Sequence, residues 1–258
     1  MGYDHDPHPY RAALREALYP ALTARDEITA LWEGGSAARD AMDAYSDIDI
    51  CALVDAEDGG FEATWEAFEA ALTSHVTIAH RWSRVGGIFK GMEQRLYILE
   101  DAPPYFMLDV VLFPSSQPIP ILERERHGEP VVILDRAGVL RTRALDQIEH
   151  TDRMQRSCQQ AQDAFAIYAL LARKESARGR SLDAHGFYKA CLGLLHTMLG
   201  AARRPDIYDF GGRYWYDVLS EEETKRLEAL TFPAKDGIEA ALDDMRAWID
   251  ELSGELAS

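Results

Sequence analysis

Trp32-Glu33-Gly34-Gly35-Ser36, a spacer of ten residues, and then Asp47-Ile48-Asp49-Ile50 decide how this chain is read. Alternation along a strand sends Asp47 and Asp49 to one face and Ile48 and Ile50 to the other, into a core. Two carboxylates on one strand face repel each other unless a positive charge lies between them. Oxygen donors at that spacing suit a hard divalent cation such as Mg²⁺. Upstream, Gly34-Gly35-Ser36 falls where a strand over 27–33 turns into a short helix, expected over 36–43. Glycine lets backbone approach a ligand closely, and exposed N–H groups at a helix start attract phosphate. A phosphate cradle beside a carboxylate pair is apparatus for phosphoryl or nucleotidyl transfer.

Working outward, a helix is expected over 8–25, with Tyr10, Leu14, Leu18 and Leu22 recurring every four residues. Residues 61–73 read as a second helix striped by Phe61, Trp65, Phe68 and Leu72. Strands are expected around 76–80, over 93–100, 104–113 and 131–134, with turns at Asp55 to Gly60 and at Asp101-Ala102-Pro103-Pro104. Val85-Gly86-Gly87-Ile88 lacks the Lys-Ser/Thr of a nucleotide-binding loop and reads as a turn. The strand around Asp109 is apolar apart from that carboxylate, whose neighbours Leu108 and Val110 face the core side. From Leu145 the pattern becomes helical: 146–176, 183–202, 220–230 and 236–253, the third opening on Ser220-Glu221-Glu222-Glu223, a capping box. The fold class is therefore α/β (α+β). A mixed-sheet domain over 1–140 precedes an all-helical bundle over 141–258.

The chain has 258 residues, 47% of them hydrophobic, enough to bury a core. It holds no apolar run long enough to span a membrane. The start, Met1 to His8, lacks the basic and apolar regions of a signal peptide. Three scattered cysteines, Cys51, Cys158 and Cys191, read as reduced thiols of a cytoplasmic protein. The net charge is −17, with 24 of the 44 acidic and 11 of the 27 basic residues in 1–140. That field opposes a nucleic-acid backbone and favours a small cationic substrate; simple solubility is the plain alternative. The histidines show no metal-ligand spacing: His185 and His196 are eleven apart, and His75 and His80, read as one strand, fall on opposite faces.

Gly35-Ser36, the spacer, Asp47-Ile48-Asp49 and a later strand Asp, Asp109, together resemble the signature of the DNA polymerase β-like nucleotidyltransferase superfamily. A mixed-sheet domain followed by a helical one resembles its antibiotic-modifying members, the aminoglycoside and lincosamide enzymes. The segment Arg178 to Ala184 looks like the junction between helices of those helical domains, and Asp109 to Leu140, with its connector Arg124 to Gly128, is similar to the lincosamide branch. The resemblance implies a nucleoside triphosphate, two Mg²⁺ ions held by Asp47, Asp49 and Asp109, and Asp109 taking the proton of an acceptor hydroxyl. It implies that the helical domain completes the cleft. Gly35 and Ser36 would contact the triphosphate; Ser36 also suits an ordinary helix cap. Arg39 would reach a phosphate or form a surface ion pair, and Ser46 caps or turns. Lys189, Lys174 and Arg178 are the cations considered for a phosphate contact; Lys189, the one selected, suits a snorkelling side chain at a helix edge at least as well. Tyr214-Trp215-Tyr216 stack on a ligand or pack the bundle. The expected acceptor is a small hydroxylated molecule of aminoglycoside or lincosamide type. AMP transfer to a protein, and a regulatory nucleotide binder without catalysis, stay open beside it, as does the oligomeric state.

Overall fold

The computed structural model describes residues 9–56, 61–85, 90–117, 123–136, 138–234 and 237–257. The contacts divide the chain into two compact units, Met1–Ala144 and Leu145–Ser258. The fold is α+β, a mixed six-stranded sheet in the first unit and helices in the second. Among the described residues no helix is long and apolar enough to cross a membrane.

The first unit runs α1 (Pro9–Thr23), β1 (Ile28–Glu33), α2 (Gly35–Ala38), β2 (Ile48–Val54), α3 (Glu62–Thr73), β3 (Ile78–Val85), β4 (Glu93–Leu99), β5 (Leu108–Pro114), α4 (Arg124–His127) and β6 (Val131–Asp135). The sheet order is β3-β4-β5-β2-β1-β6. Only β2 and β5 pair in parallel; the other neighbours are antiparallel.

Alternation sorts the sheet into two unlike faces. Ile48, Ile50, Ala52 and Val54 of β2 and Leu108, Val110 and Leu112 of β5 pack against Leu14, Leu18 and Leu22 of α1 and Trp65, Phe68 and Leu72 of α3. Burying side chains of this size stabilises the unit by about 1.5–3 kcal/mol each. A register shift at Ile28 lets both Ile28 and Leu31 reach that core. Among the described residues of this unit the opposite face carries a smaller apolar cluster, in which the Trp32 and Phe113 rings stack at 5.9 Å. The carboxylates stand on this thinly covered face.

Several boundaries differ from the sequence reading. The helix expected over 36–43 stops at Ala38, and Asp40 takes a left-handed φ of 52° that no helix accommodates. The strand expected from 104 begins at Leu108, because Tyr105 has a φ of 70°. Asp47 lies one residue before β2, and His75 lies in the turn before β3. The expected turns over 57–60 and 86–88 lie outside the described residues.

The second unit consists of α5 (Gln147–Ala177), α6 (Ser181–Arg203), a single 3-10 turn (Pro205–Ile207), α7 (Trp215–Val218), α8 (Glu221–Thr231) and α9 (Ile238–Leu256). Phe165 of α5, Leu195 of α6 and Leu242 of α9 share its core. The capping box forms as read: Ser220 Oγ accepts from Glu223 N at 3.2 Å, and Glu223 Oε2 accepts from Ser220 N at 2.9 Å. The helix expected from 183 starts at Ser181, with Arg180 at its cap. The short helix α7 and the 3-10 turn had no periodic signal. Arg204 is buried here, stacked 3.7 Å over the Trp215 ring and donating to the carbonyls of Gly211 and Arg213. Beside it, burial and then the Arg204 charge push the His196 imidazole down to about 4.

Candidate active site

Parallel pairing of β2 with β5 sets Asp49 directly opposite Asp109. Neighbouring strands lie about 4.8 Å apart, so the two side chains leave the sheet side by side. Neither is fully buried. The third carboxylate, Asp47, sits at the entrance to β2, where its Oδ1 accepts the backbone N–H of Met107, just before β5, at 2.8 Å. That bond ties the two strand entrances together.

The turn after β1 is laid on the same carboxylates. Gly34 N–H donates to the Asp49 carbonyl at 3.0 Å. Gly35 has a φ of 56°, and a Cβ there would lie 1.8 Å from Asp49 Oδ2. Both facts require glycine: the left-handed conformation disfavours a side chain, and the carboxylate fills the space one would need. Ser36 follows, half-buried, its carbonyl accepting from Arg39 and Ala41 N–H at 3.3 and 3.0 Å. Arg39 is half-buried at the end of α2. The segment after α4 backs this helix, with Glu129 N–H donating to the Ala38 carbonyl at 2.8 Å.

Electrostatics mark the carboxylates as a strained group. Burial raises the Asp109 carboxyl above its ordinary range; Gln94 opposes the rise, and the Asp47 charge adds to it. Gln94 Nε2 lies 2.9 Å from each Asp109 oxygen. Burial likewise raises Asp47, against the pull of the Met107 N–H and of Arg11. Cys51 lies on the same strand face. Burial first, then the Asp49 and Asp109 charges, push its thiol up.

Two arginines of α1, passed over in the sequence, hold this end of the sheet. Arg11 is buried and donates to the carbonyls of Ser46 at 2.7 Å and Asp43 at 2.8 Å, bracing the loop that delivers Asp47. Ser46 Oγ in turn donates to Asp43 Oδ1 at 2.9 Å, the turn role read for it. Arg15 pairs with buried Glu33 at 2.8 and 3.0 Å. Residues 11, 14, 15, 18 and 22 follow helical spacing, so two arginines inside an apolar stripe were the available signal. Gln94 had none, since its role depends on β4 pairing with β5.

The first unit thus sets Asp49 opposite Asp109, lays Gly35 against the Asp49 carboxylate with Ser36 next along the turn, and places Asp47 at the entrance to β2. Lys189 belongs to the other unit, exposed on α6. Lys174 is also exposed. Arg178 is taken by Glu175 at 2.6 Å. Trp215 is buried in the bundle core, the packing alternative for the Tyr214-Trp215-Tyr216 segment, while the exposed Tyr216 donates to Glu228 at 2.8 Å. Among the described residues no three His, Cys, Asp or Glu side chains are gathered as ligands for one metal ion; one Asp47 oxygen is committed to the Met107 N–H. By donor type the site fits a hard divalent cation: all three groups are oxygen donors, and burial raises two of them, Asp47 and Asp109.

No family model matches the chain, and no curated protein does. Among solved structures it is similar to a nucleotidyltransferase-like protein from Exiguobacterium sibiricum 255-15, at 12% identity over 96% of this chain and 78% of that one, with a TM-score of 0.34. A TM-score that low transfers neither fold nor function, so the assignment rests on this chain's carboxylates and the turn against them.

Proposed function

We propose that the first unit is a Mg²⁺-dependent nucleotidyltransferase that moves a nucleoside monophosphate, AMP from ATP, onto a hydroxyl of a small molecule, the α–β phosphoanhydride bond breaking and pyrophosphate leaving. One observation carries this reading. Asp49 and Asp109 stand opposite each other in parallel register, and a glycine turn too tight for a side chain lies on the Asp49 carboxylate. A structural strand face has no need of like charges side by side, since they repel.

Asp47, Asp49 and Asp109 would hold two Mg²⁺ ions, which when bound neutralise charge on a transferring phosphoryl group and make a hydroxyl more acidic. Ser36 donates its hydroxyl to the triphosphate, and Arg39 gives a second contact to it. Asp109 accepts the proton of the acceptor hydroxyl. The Gln94 amide, 2.9 Å from both Asp109 oxygens, fixes the orientation of the carboxylate.

The test is mass spectrometry after incubation with each nucleoside triphosphate and Mg²⁺. The acceptor panel holds aminoglycosides, lincosamides, anionic hydroxylated molecules and whole protein. A mass gain of one nucleoside monophosphate, lost in Asp109→Asn, is the expected result. A gain on protein alone would move the acceptor to a protein hydroxyl. No gain on any acceptor, with nucleotide bound unchanged, would leave a regulatory binder in place of an enzyme.

A further inference from the structure

The carboxylate face continues past Asp109 onto β4 and β3. The strand registers align Asp49, Asp109, Leu96 and Trp82 in one row across four strands. The next row is Cys51, Val111, Gln94 and Arg84. Gln94 reaches Asp109, so residues 94, 96 and 98 share the carboxylate face. Arg81 and Arg95 point to the other face, where both bind Glu69 of α3 at 2.7–2.8 Å. Their alternation leaves His80, Trp82 and Arg84 on the carboxylate face of the edge strand.

These side chains are open. Trp82 is 49% exposed and Ile98, paired with His80, 52%. His80 and Arg84 are exposed, and Arg84 has no ion pair among the described residues. Trp82 lies two strands from Asp109, roughly 10 Å, and Arg84 about 7 Å further along β3 from Trp82. The net charge of the chain is −17, yet this face of β3 and β4 carries His80 and Arg84 and, within 80–84 and 94–98, no acidic side chain.

Strand order gives this patch a direction. The glycine turn and Ser36 follow β1, on one side of the Asp49–Asp109 pair; β4 and β3 lie on the other. A triphosphate on the Ser36 side leaves the Asp109 side for the molecule that receives the nucleotide. We infer that Trp82, Arg84 and Ile98 form the acceptor platform, and that the acceptor is a small molecule with a planar ring and an anionic group about 7 Å apart. The word acceptor rests on the nucleotidyltransferase reading; the ring-and-anion recognition does not. Trp82 takes the ring by stacking, Ile98 extends the apolar floor, and Arg84 takes the anion. A polycation meets like charge here, although the overall field attracts it.

The experiment titrates the full chain, ¹⁵N-labelled, with 2-naphthoate, 2-naphthamide and 2-naphthylmethylammonium. The Trp82 indole N–H, assigned by its disappearance in Trp82→Phe, reports binding. Naphthoate should bind at least about tenfold tighter than the ammonium probe, a factor worth about 1.4 kcal/mol. Trp82→Ala should weaken naphthoate about tenfold, and Arg84→Gln should bring the two probes to equal affinity. Both side chains are exposed, so the variants should keep the wild-type circular dichroism spectrum. Equal or reversed affinities in the wild type, or a naphthoate affinity indifferent to both substitutions, would overturn the platform. Nucleotidyl transfer from Mg²⁺–ATP, measured on the same samples, separates the two readings. Probe binding as described with no nucleotidyl transfer to any acceptor would sink the transfer reading and leave the platform. Transfer in which Trp82→Ala leaves the acceptor KM untouched would sink the platform and leave the transfer reading.

Discussion

Gly35→Ala places a methyl group where the structure has a carboxylate. The added Cβ would lie 1.8 Å from Asp49 Oδ2 and 2.6 Å from its Cγ. Ordinary contact needs a separation larger by about 1.5 Å. The Asp49 backbone cannot supply that movement, because it is paired with Asp109 and bound by Gly34 N–H. The carboxylate must instead swing away from its partner. A misplacement of about 1 Å at a reacting centre is worth on the order of 10²-fold in rate. The φ of 56° adds a cost of about 1–2 kcal/mol for any L side chain. A loss near 2 kcal/mol corresponds to a fall in Tm of roughly 4–8 °C for a unit of this size. Gly34→Ala is the control: its φ is −105° and a Cβ there meets nothing within 4 Å, so its Tm should stay within about 2 °C of wild type. Thermal melting by circular dichroism and single-turnover transfer with Mg²⁺–ATP read the two effects separately. Gly35→Ala that melts and reacts like wild type would refute both the tight turn and the placement of Asp49 at the reaction centre.

Three further outcomes follow from the same geometry. Asp109→Asn should abolish transfer by on the order of 10²-fold or more while calorimetry still detects nucleotide with Mg²⁺; a variant with wild-type turnover would remove Asp109 from the site. Arg15→Met takes the cation from buried Glu33 and should cost about 3 kcal/mol, much of it recovered by adding Glu33→Gln; a single variant within about 0.5 kcal/mol of wild type by urea unfolding would show that the pair does not brace α1 against β1. His196 should make the second unit acid-sensitive. Its folded pKa of about 4 lies below the ordinary value near 6.5, so the unfolded chain takes up the proton first. Stability is full above pH 6.5 and falls as pH drops towards 4, by about 1–2 kcal/mol between pH 7 and pH 5. His196→Gln should flatten that slope in urea melts, and an unchanged slope would count against the burial of the imidazole.

Much of the first unit was legible because its signals are local. Alternation gave Asp49 its face, and the tight turn at Gly34-Gly35-Ser36 lies between strand and helix as read. The leucines of α1 and the aromatics of α3 announced the helical layer, and Ser220 with Glu223 announced a helix start that the structure reproduces. Each depends only on residues within a few positions of one another. The failures were also physical. Asp40 and Tyr105 adopt left-handed conformations with no glycine to mark them, and so cut short a helix and delayed a strand.

What only tertiary structure decided is which distant residues become neighbours. Periodicity gives each strand its faces but not its partners. Only the parallel pairing of β2 with β5 places Asp49 opposite Asp109, sixty residues later, and only the antiparallel pairing of β4 brings Gln94 onto the Asp109 carboxylate. Arg11 and Arg15 could be seen as charges in an apolar stripe, but their partners, Ser46 and Glu33, come from chain folded back from elsewhere. The same pairing carries the row from Asp109 to Trp82. Sequence fixes the chemistry each residue can offer, whereas hydrogen-bonded register between remote strands fixes which offers meet.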